Sequence, residues 1–407
     1  MTRRPLSHRS AAARALAAAA LAVVGLLPLA GAPAQAAPPV SATPARGDDD
    51  HDFPRHELSP QLSAKLDKAV REAMKQLNLP GLQVGVWLPG KGSYVRAFGV
   101  ADKKTGERMT DDMKIRIGSV TKTFTATALL ELVDGGRAHL DDPVAKYVKG
   151  VPNGRNITLR HLLEMRSGLF PYSEDADFVK ALLSNPQRAF TPQELLAYGY
   201  KHSNTSAPGT KFQYSNSNYV LLGLVVEKMT GKSLRDVVEH RILRPSHLDG
   251  TLFPKGAEFP RPHAHGYTNQ TLSGKVADST HWNPSWAWAA GAMISDLHDL
   301  KHWAKDLATG TLLSPATQKQ RLKVLPTGIT GASYGLGIFD VNGWIGHNGS
   351  LPGYENLTLY LPEQKATVIA LLNTDILYKG GEPSTVVGRA ITSVVTPKHV
   401  YTLSPAK

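Results

Sequence analysis

The sequence predicts an α+β fold: one antiparallel sheet built from both ends of the chain and flanked by helices, with a mostly helical subdomain inserted between the two sheet parts. Two observations carry this. Short stretches rich in β-formers, punctuated by Gly, Pro and Asn, occur at 82–100 and again at 334–373, while the span between them has helical period and helix caps. No internal repeat argues for a solenoid. The sheet parts are expected at about 58–134 and 333–397 and the insertion at about 135–332, together a single domain over 58–400.

Taken in order, residues 1–36 carry Arg3, Arg4, Arg9 and Arg14, then an Ala/Leu-rich apolar core, then Ala34-Gln35-Ala36. That is the pattern of a cleaved export signal, so a secreted or extracellular protein is expected, exported by the general or the twin-arginine route. The apolar core is too short for a lasting membrane anchor, and no second such run follows. Residues 37–57 are Pro- and Ala-rich and then acidic, which predicts a disordered linker whose Asp48-Asp49-Asp50-His51-Asp52 cluster is solvated. Ser59-Pro60 caps a helix with an apolar stripe from Leu62 to Leu77, and strands follow at 82–88 and 93–100 around the turn Pro89-Gly90-Lys91-Gly92. A short strand at 113–117 leads into a helix that ends at Gly135-Gly136. Helices are then expected at 158–165, 176–183, 192–200, 217–229, 233–242 and 296–307. Strands return at 334–339, 343–347, 354–361 and 366–373, before a closing helix over 385–395.

Composition narrows the function. Lys and Arg number 46 against 34 Asp and Glu, and without the four arginines of the export signal 42 against 34. The excess is spread along the chain, and no basic cluster interleaved with aromatics marks a nucleic-acid surface. Cysteine is absent, which excludes disulfides and thiol chemistry.

Chemistry is concentrated in three stretches. Ser119-Val120-Thr121-Lys122 sets a hydroxyl and an amine three residues apart at a helix start, where the two share a face and free backbone N–H groups stand beside a developing oxyanion. Serine needs such a neighbouring base to attack a carbonyl, and burial of the amine supplies one by lowering its pKa. Tyr214-Ser215-Asn216 brings a phenol and a carboxamide to a loop before a helix. There Tyr214 shuttles a proton and Asn216 orients Lys122, or the segment is a plain helix cap. Gly346-His347-Asn348-Gly349-Ser350 follows a strand and lets backbone approach a ligand closely. Ser285-Trp286-Ala287-Trp288 adds aromatic surface, with Trp286 a candidate pocket wall.

These motifs, in this order around a helical insertion, resemble the penicillin-recognising serine hydrolases, and more closely the secreted D-alanyl-D-alanine carboxypeptidases and class C β-lactamases. The resemblance covers about residues 58–395 and includes Ser167-Gly168-Leu169 and Ala289-Ala290-Gly291. It implies the β-lactamase/transpeptidase-like fold and an acyl-enzyme on Ser119. Lys122 and Tyr214 share the proton transfers, Asn216 positions Lys122 and substrate, and His347 fills the place of the third motif's basic residue. The N–H groups of Ser119 and Ser350 form the oxyanion hole, with Asn348, Gly349, Ser350 and Trp286 binding substrate. No metal or cofactor is implied.

One departure bears on the substrate. The third motif of that family usually has Thr where this chain has Asn348, and no Arg or Lys occurs from Val324 to Gln364 to hold a terminal carboxylate. The expectation is a carboxypeptidase acting on D-Ala-D-Ala peptides of the cell wall. A β-lactamase, esterase or D-aminopeptidase on the same scaffold is the first alternative, and a non-catalytic penicillin- or peptidoglycan-binding protein the second. A monomer is expected, taking a small peptide, β-lactam or ester substrate with peptidoglycan as a further partner, and binding neither nucleic acid nor membrane once the signal is removed.

Overall fold

The computed structural model describes residues 53–403. The expected export signal and the first part of the expected linker lie outside these residues.

Helix α1 (Pro60–Leu77) precedes the hairpin β1 (Gly81–Leu88) and β2 (Gly92–Gly99), and β3 (Ile115–Arg116) leads into α2 (Thr121–Asp134). The central part holds α3 (Leu159–Leu163), α4 (Ala176–Ser184), α5 (Pro192–Tyr200), α6 (Asn216–Thr230) and α7 (Leu234–Val238). It also holds the short pair β4 (Tyr267–Thr268) and β5 (Ala277–Asp278), and β6 (Ile294–Ser295), which pairs with β3. Next come α8 (Leu297–Thr309), α9 (Pro315–Arg321), β7 (Leu325–Pro326), β8 (Ala332–Tyr334) and β9 (Phe339–Val341). The chain closes with β10 (Trp344–Leu351), β11 (Tyr354–Leu361), β12 (Ala366–Leu372) and α10 (Pro383–Val395).

Eight strands form one antiparallel sheet in the order β2-β1-β12-β11-β10-β9-β8-β7. Strand β1 pairs with β2 on one side and with β12 on the other, so the first and last strands of the chain are neighbours, as expected. Every residue of β1, β11 and β12 is buried, because both faces of the sheet are covered. Leu357 of β11 meets Gly388 of α10, and α10 packs on α1, which gives one cover. The next residue along β11, Asn356, points to the other face and sits opposite Gly349, whose α-carbon lies against the Ile117 carbonyl. The turn that carries Ser119 therefore lies on that second face. Helix α8 packs on β10, β11 and β12, and its Trp303 stacks on Phe124 of α2 at 4.0 Å.

Four expectations are corrected. Folded contacts begin at Phe53, which is 8 % exposed against Trp87 and His302, while Ser93 exchanges backbone hydrogen bonds with His56 and Leu58. The last residues of the expected linker are thus tied to the domain. The sheet resumes at Leu325 and not at 333, since β7 joins its far edge. The stretch read as one strand over 334–339 is the hairpin of β8 and β9, turned at Gly335 and at Gly337, whose φ is +81°. Helix α9 was not expected. Its Ser314 cap accepts from Thr317 N and Pro315 opens it, but it lacks an apolar stripe.

Among the described residues no helix is long and apolar enough to cross a membrane. None of their His, Asp and Glu side chains form a group of three or more that could hold a metal ion.

Candidate active site

Ser119 sits in a single tight turn, Gly118–Val120, that runs directly into α2. Gly118 makes the turn possible. Its φ is +49°, and a Cβ there would stand 2.7 Å from the backbone N of Ser350. Only glycine combines that dihedral with so close an approach, and the approach brings the Ser119 turn against the Ser350 N–H on β10. Strand β9 pairs with β10 only as far as Gly346, so no strand covers that edge from His347 onward. Gly349 is equally constrained, because its Cβ would stand 2.1 Å from the Ile117 carbonyl oxygen. The Ser119 turn and the backbone N of Ser350 therefore lie side by side, where an oxyanion hole is expected.

One turn on from Ser119, as the second residue of α2, Lys122 is fully buried. Its Nζ stands 2.9 Å from Ser119 Oγ, 2.8 Å from Asn216 Oδ1 and 2.8 Å from the Ala290 carbonyl oxygen. The rings of Tyr214 and Tyr219 lie 4.8 and 5.6 Å away and favour a cation, but burial without a carboxylate partner dominates and holds the amine well below its usual pKa. A neutral amine has two N–H bonds and one lone pair. The two carbonyl oxygens take the N–H bonds, which leaves the lone pair for the hydroxyl proton of Ser119. Lys122 is thus set as a base.

Tyr214 precedes α6 and is in side-chain hydrogen-bond contact with Ser119. Burial raises its phenol well above the ordinary range, so it stays neutral. Asn216, at the start of α6, accepts from Lys122 and donates through Nδ2 to Ser173 Oγ at 3.3 Å. The alternative of a plain helix cap fails: the Ser215 side chain makes no cap bond and Asn216 faces the amine.

The beta-lactamase family model matches residues 66–383. This chain belongs to the beta-lactamase family. The chain is similar to protein flp of Staphylococcus aureus strain N315, 29% identical over 334 residues covering 79% of this chain and 65% of that protein. The D-aminopeptidase of Brucella anthropi is 29% identical over 326 residues, 78% of this chain and 59% of that protein. The chain therefore spans less than two thirds of either relative. A solved D-stereospecific amidohydrolase from Streptomyces sp. is 31% identical with a TM-score of 0.74, covering 82% of this chain and 99% of that one. The fold is beta-lactamase-like and the protein is a serine hydrolase of the family.

Within this family member, His347 joins the cluster without being the basic group expected of it. Its ring is buried edge-on to Phe339 and Tyr334, and burial above all lowers its pKa to about 3. Nδ1 must donate to the Asn348 carbonyl at 2.5 Å, which leaves Nε2 to accept from Tyr334 at 3.2 Å. A neutral imidazole in this tautomer positions its surroundings and holds no anion. Asn348 turns its Nδ2 to Glu382 at 2.9 Å. Trp286 is not a pocket wall. It is 5 % exposed, tilted against Phe178, and its carbonyl accepts from Tyr172.

Sequence reasoning missed Ser173, Glu174, the Ala290 carbonyl, Tyr334 and Glu382. Only Ala290 lay in a segment singled out beforehand. Glu174 ends the turn Tyr172–Glu174 that sets Ser173 against Asn216. It is half-buried, and burial pushes its carboxyl up to about 7.

Proposed function

We propose that the protein hydrolyses amide bonds that follow a D-amino acid with a free α-amino group, through an acyl-enzyme on Ser119. The observation that carries this reading is the charge around the reactive pair. A carboxypeptidase, the first expectation from sequence, needs a cation for the substrate's terminal carboxylate. Here the amine at the centre is held neutral, His347 is neutral, no Arg or Lys occurs from Val324 to Gln364, and the carboxyls of Glu174 and Glu382 flank the motifs. An ammonium suits that field and a carboxylate does not. Glu174, beside the Ser173–Asn216 contact, is the natural partner of the ammonium, whose arrival restores its ionised form. The names of the similar D-aminopeptidase and D-stereospecific amidohydrolase point the same way.

In the first step Ser119 gives its proton to Lys122 Nζ as Oγ bonds to the carbonyl carbon, and the oxyanion lies between the N–H groups of Ser119 and Ser350. The proton then passes by way of Tyr214 to the leaving nitrogen as the C–N bond breaks. Water attacks the ester in the second half, releasing the D-amino acid and restoring Ser119. Residues 1–36 act in this reading as an export signal, so the mature protein works outside the cytoplasm, and N-terminal sequencing of protein from the culture medium is expected to start at Ala37.

The test compares D-alaninamide, L-alaninamide, an N-acylated D-Ala-D-Ala peptide, a penicillin and a simple ester, on wild type and on Ser119→Ala. Turnover of D-alaninamide well above the L-form and the acylated peptide, lost in Ser119→Ala, is the expected result. Preference for the acylated free-acid peptide would restore the carboxypeptidase reading, and preference for penicillin or ester would replace it with those activities.

A further inference from the structure

Strand β10 carries a second polar device beside the oxyanion position. Asn348 and Ser350 are two residues apart and so share a face, and Ser350 lies opposite Glu355 on β11, which shares that face too. Beneath them sits Glu382, at the head of α10. It occupies the cap position of that helix, yet its side chain makes no cap bond to a helix N–H. Glu355 takes the Ser384 N–H instead, at 2.8 Å, and Glu382 is turned to Asn348. Burial raises the Glu382 carboxyl to about 7, and burial together with the charge of Glu382 raises Glu355 well above its usual range. The charge of Glu382 is also felt at Tyr214, so the cluster adjoins the reactive centre.

An ionised carboxylate only accepts hydrogen bonds, so Asn348 must face Glu382 with its NH2 and not its oxygen. The amide is planar, and its Oδ1 points away from Glu382. Asn348 is half-buried, and no donor among the described residues is bonded to that oxygen. Where the related motif offers a threonine donor, this chain offers an acceptor backed by a negative charge.

We infer that Asn348, locked by Glu382, is an acceptor subsite for the leaving-group side of the substrate: it takes an N–H of a carboxamide or a further peptide bond and rejects a free carboxylate. This rests on the proposed amidase reading and goes beyond it, because that reading concerns the α-amino end and this one the departing end. Rejection has two sources. A carboxylate gains nothing from Oδ1, and it meets the negative charge of Glu382. Asn348 contacts the substrate in this scheme, while Glu382 is a positioning residue that acts through Asn348.

The test measures kcat/KM for D-Ala-D-Ala amide and for D-Ala-D-Ala free acid at pH 8.5, where Glu382 is ionised, and takes the amide-to-acid ratio. Both substrates release the same first residue, and the ratio cancels any loss of folded protein. Wild type is expected to favour the amide by about tenfold or more, the worth of one well-made hydrogen bond. Asn348→Thr, which restores a donor, lowers the ratio by about the same factor. Glu382→Gln lowers it as well, since a neutral amide can donate to Asn348 Oδ1 and let the NH2 turn outward. Glu363→Gln removes one charge at an exposed site and keeps the wild-type ratio. Turnover of D-alaninamide with a dipeptide ratio near one overturns the subsite alone, and so does an unchanged ratio in both Asn348→Thr and Glu382→Gln, or an equal shift in Glu363→Gln. Absence of turnover on D-alaninamide and on both dipeptides overturns the amidase reading and the subsite together.

Discussion

At the scale of single residues, Lys122 shows what the site costs the fold. In the unfolded chain its amine keeps a pKa near 10.5, whereas burial holds it well below that in the folded protein. Between the two values the unfolded state binds one proton more, so this residue's contribution to stability falls as pH falls through that window. The slope is about 1.4 kcal/mol per pH unit. Lys122→Met removes the titration. Denaturant unfolding of the two proteins side by side is therefore expected to show wild type gaining on the variant at about that slope from pH 7.5 to 9.5. The variant's kcat/KM is expected to fall by about 10² to 10⁴, the usual worth of a positioned base. A flat difference across that range would mean that the folded amine is charged, and the lone-pair argument for Ser119 would fail with it.

At the scale of elements, the site is a junction between a turn and a strand edge. Gly118 holds the two together, with φ of +49° and its missing Cβ aimed at Ser350. Gly118→Ala is expected to cost about 1–3 kcal/mol of stability through the strained dihedral. Separation of the two oxyanion N–H groups is expected to lower kcat by about 10² with KM little changed, because those groups act mainly in the transition state. Steady-state kinetics with a thermal melt check both halves, and an unaltered kcat would remove Ser350 from the oxyanion hole. The Ser119, Lys122, Tyr214 and Asn216 groups were legible in the sequence because their chemistry needs fixed local spacing next to helix starts, which leave their own signatures. Ser173, Glu174, Tyr334 and Glu382 were not. They stand in a turn, at a strand end and at a helix head, and only packing sets Ser173 against Asn216, Tyr334 against His347 and Glu382 against Asn348. Trp286 misled for the opposite reason, since an aromatic beside small residues has the same local pattern in a core as at a pocket wall. Helix α9 escaped notice because its caps were present without the apolar period that usually reveals a helix.

At the scale of the molecule, the order of the sheet decides how the site is lost. Strand β10 presents His347 to Ser350 only because β11 and β12 support it, and β12 is held in turn by β1 from the far end of the chain. The helical part contributes Tyr214 and Asn216 to the same cluster, and α8 binds β10, β11 and β12 to α2. Neither part keeps a working site without the other. Leu82 is a sensitive probe of this coupling, for it is fully buried in β1, opposite Phe98 on one side and Leu372 on the other, far in sequence from every reactive group. Leu82→Ala leaves a cavity in the seam between the chain's two ends and is expected to cost about 2–5 kcal/mol. Loss of near-ultraviolet circular dichroism and loss of hydrolase activity on heating are expected to coincide in wild type, and to move down together in the variant. If activity survived a first transition, or if helical signal outlasted it in a second, the insertion would be a separate folding unit. Coincident loss in both proteins follows from a sheet closed by the two ends of one chain, because the seam at Leu82 then bears on Ser350 through three consecutive strand pairings.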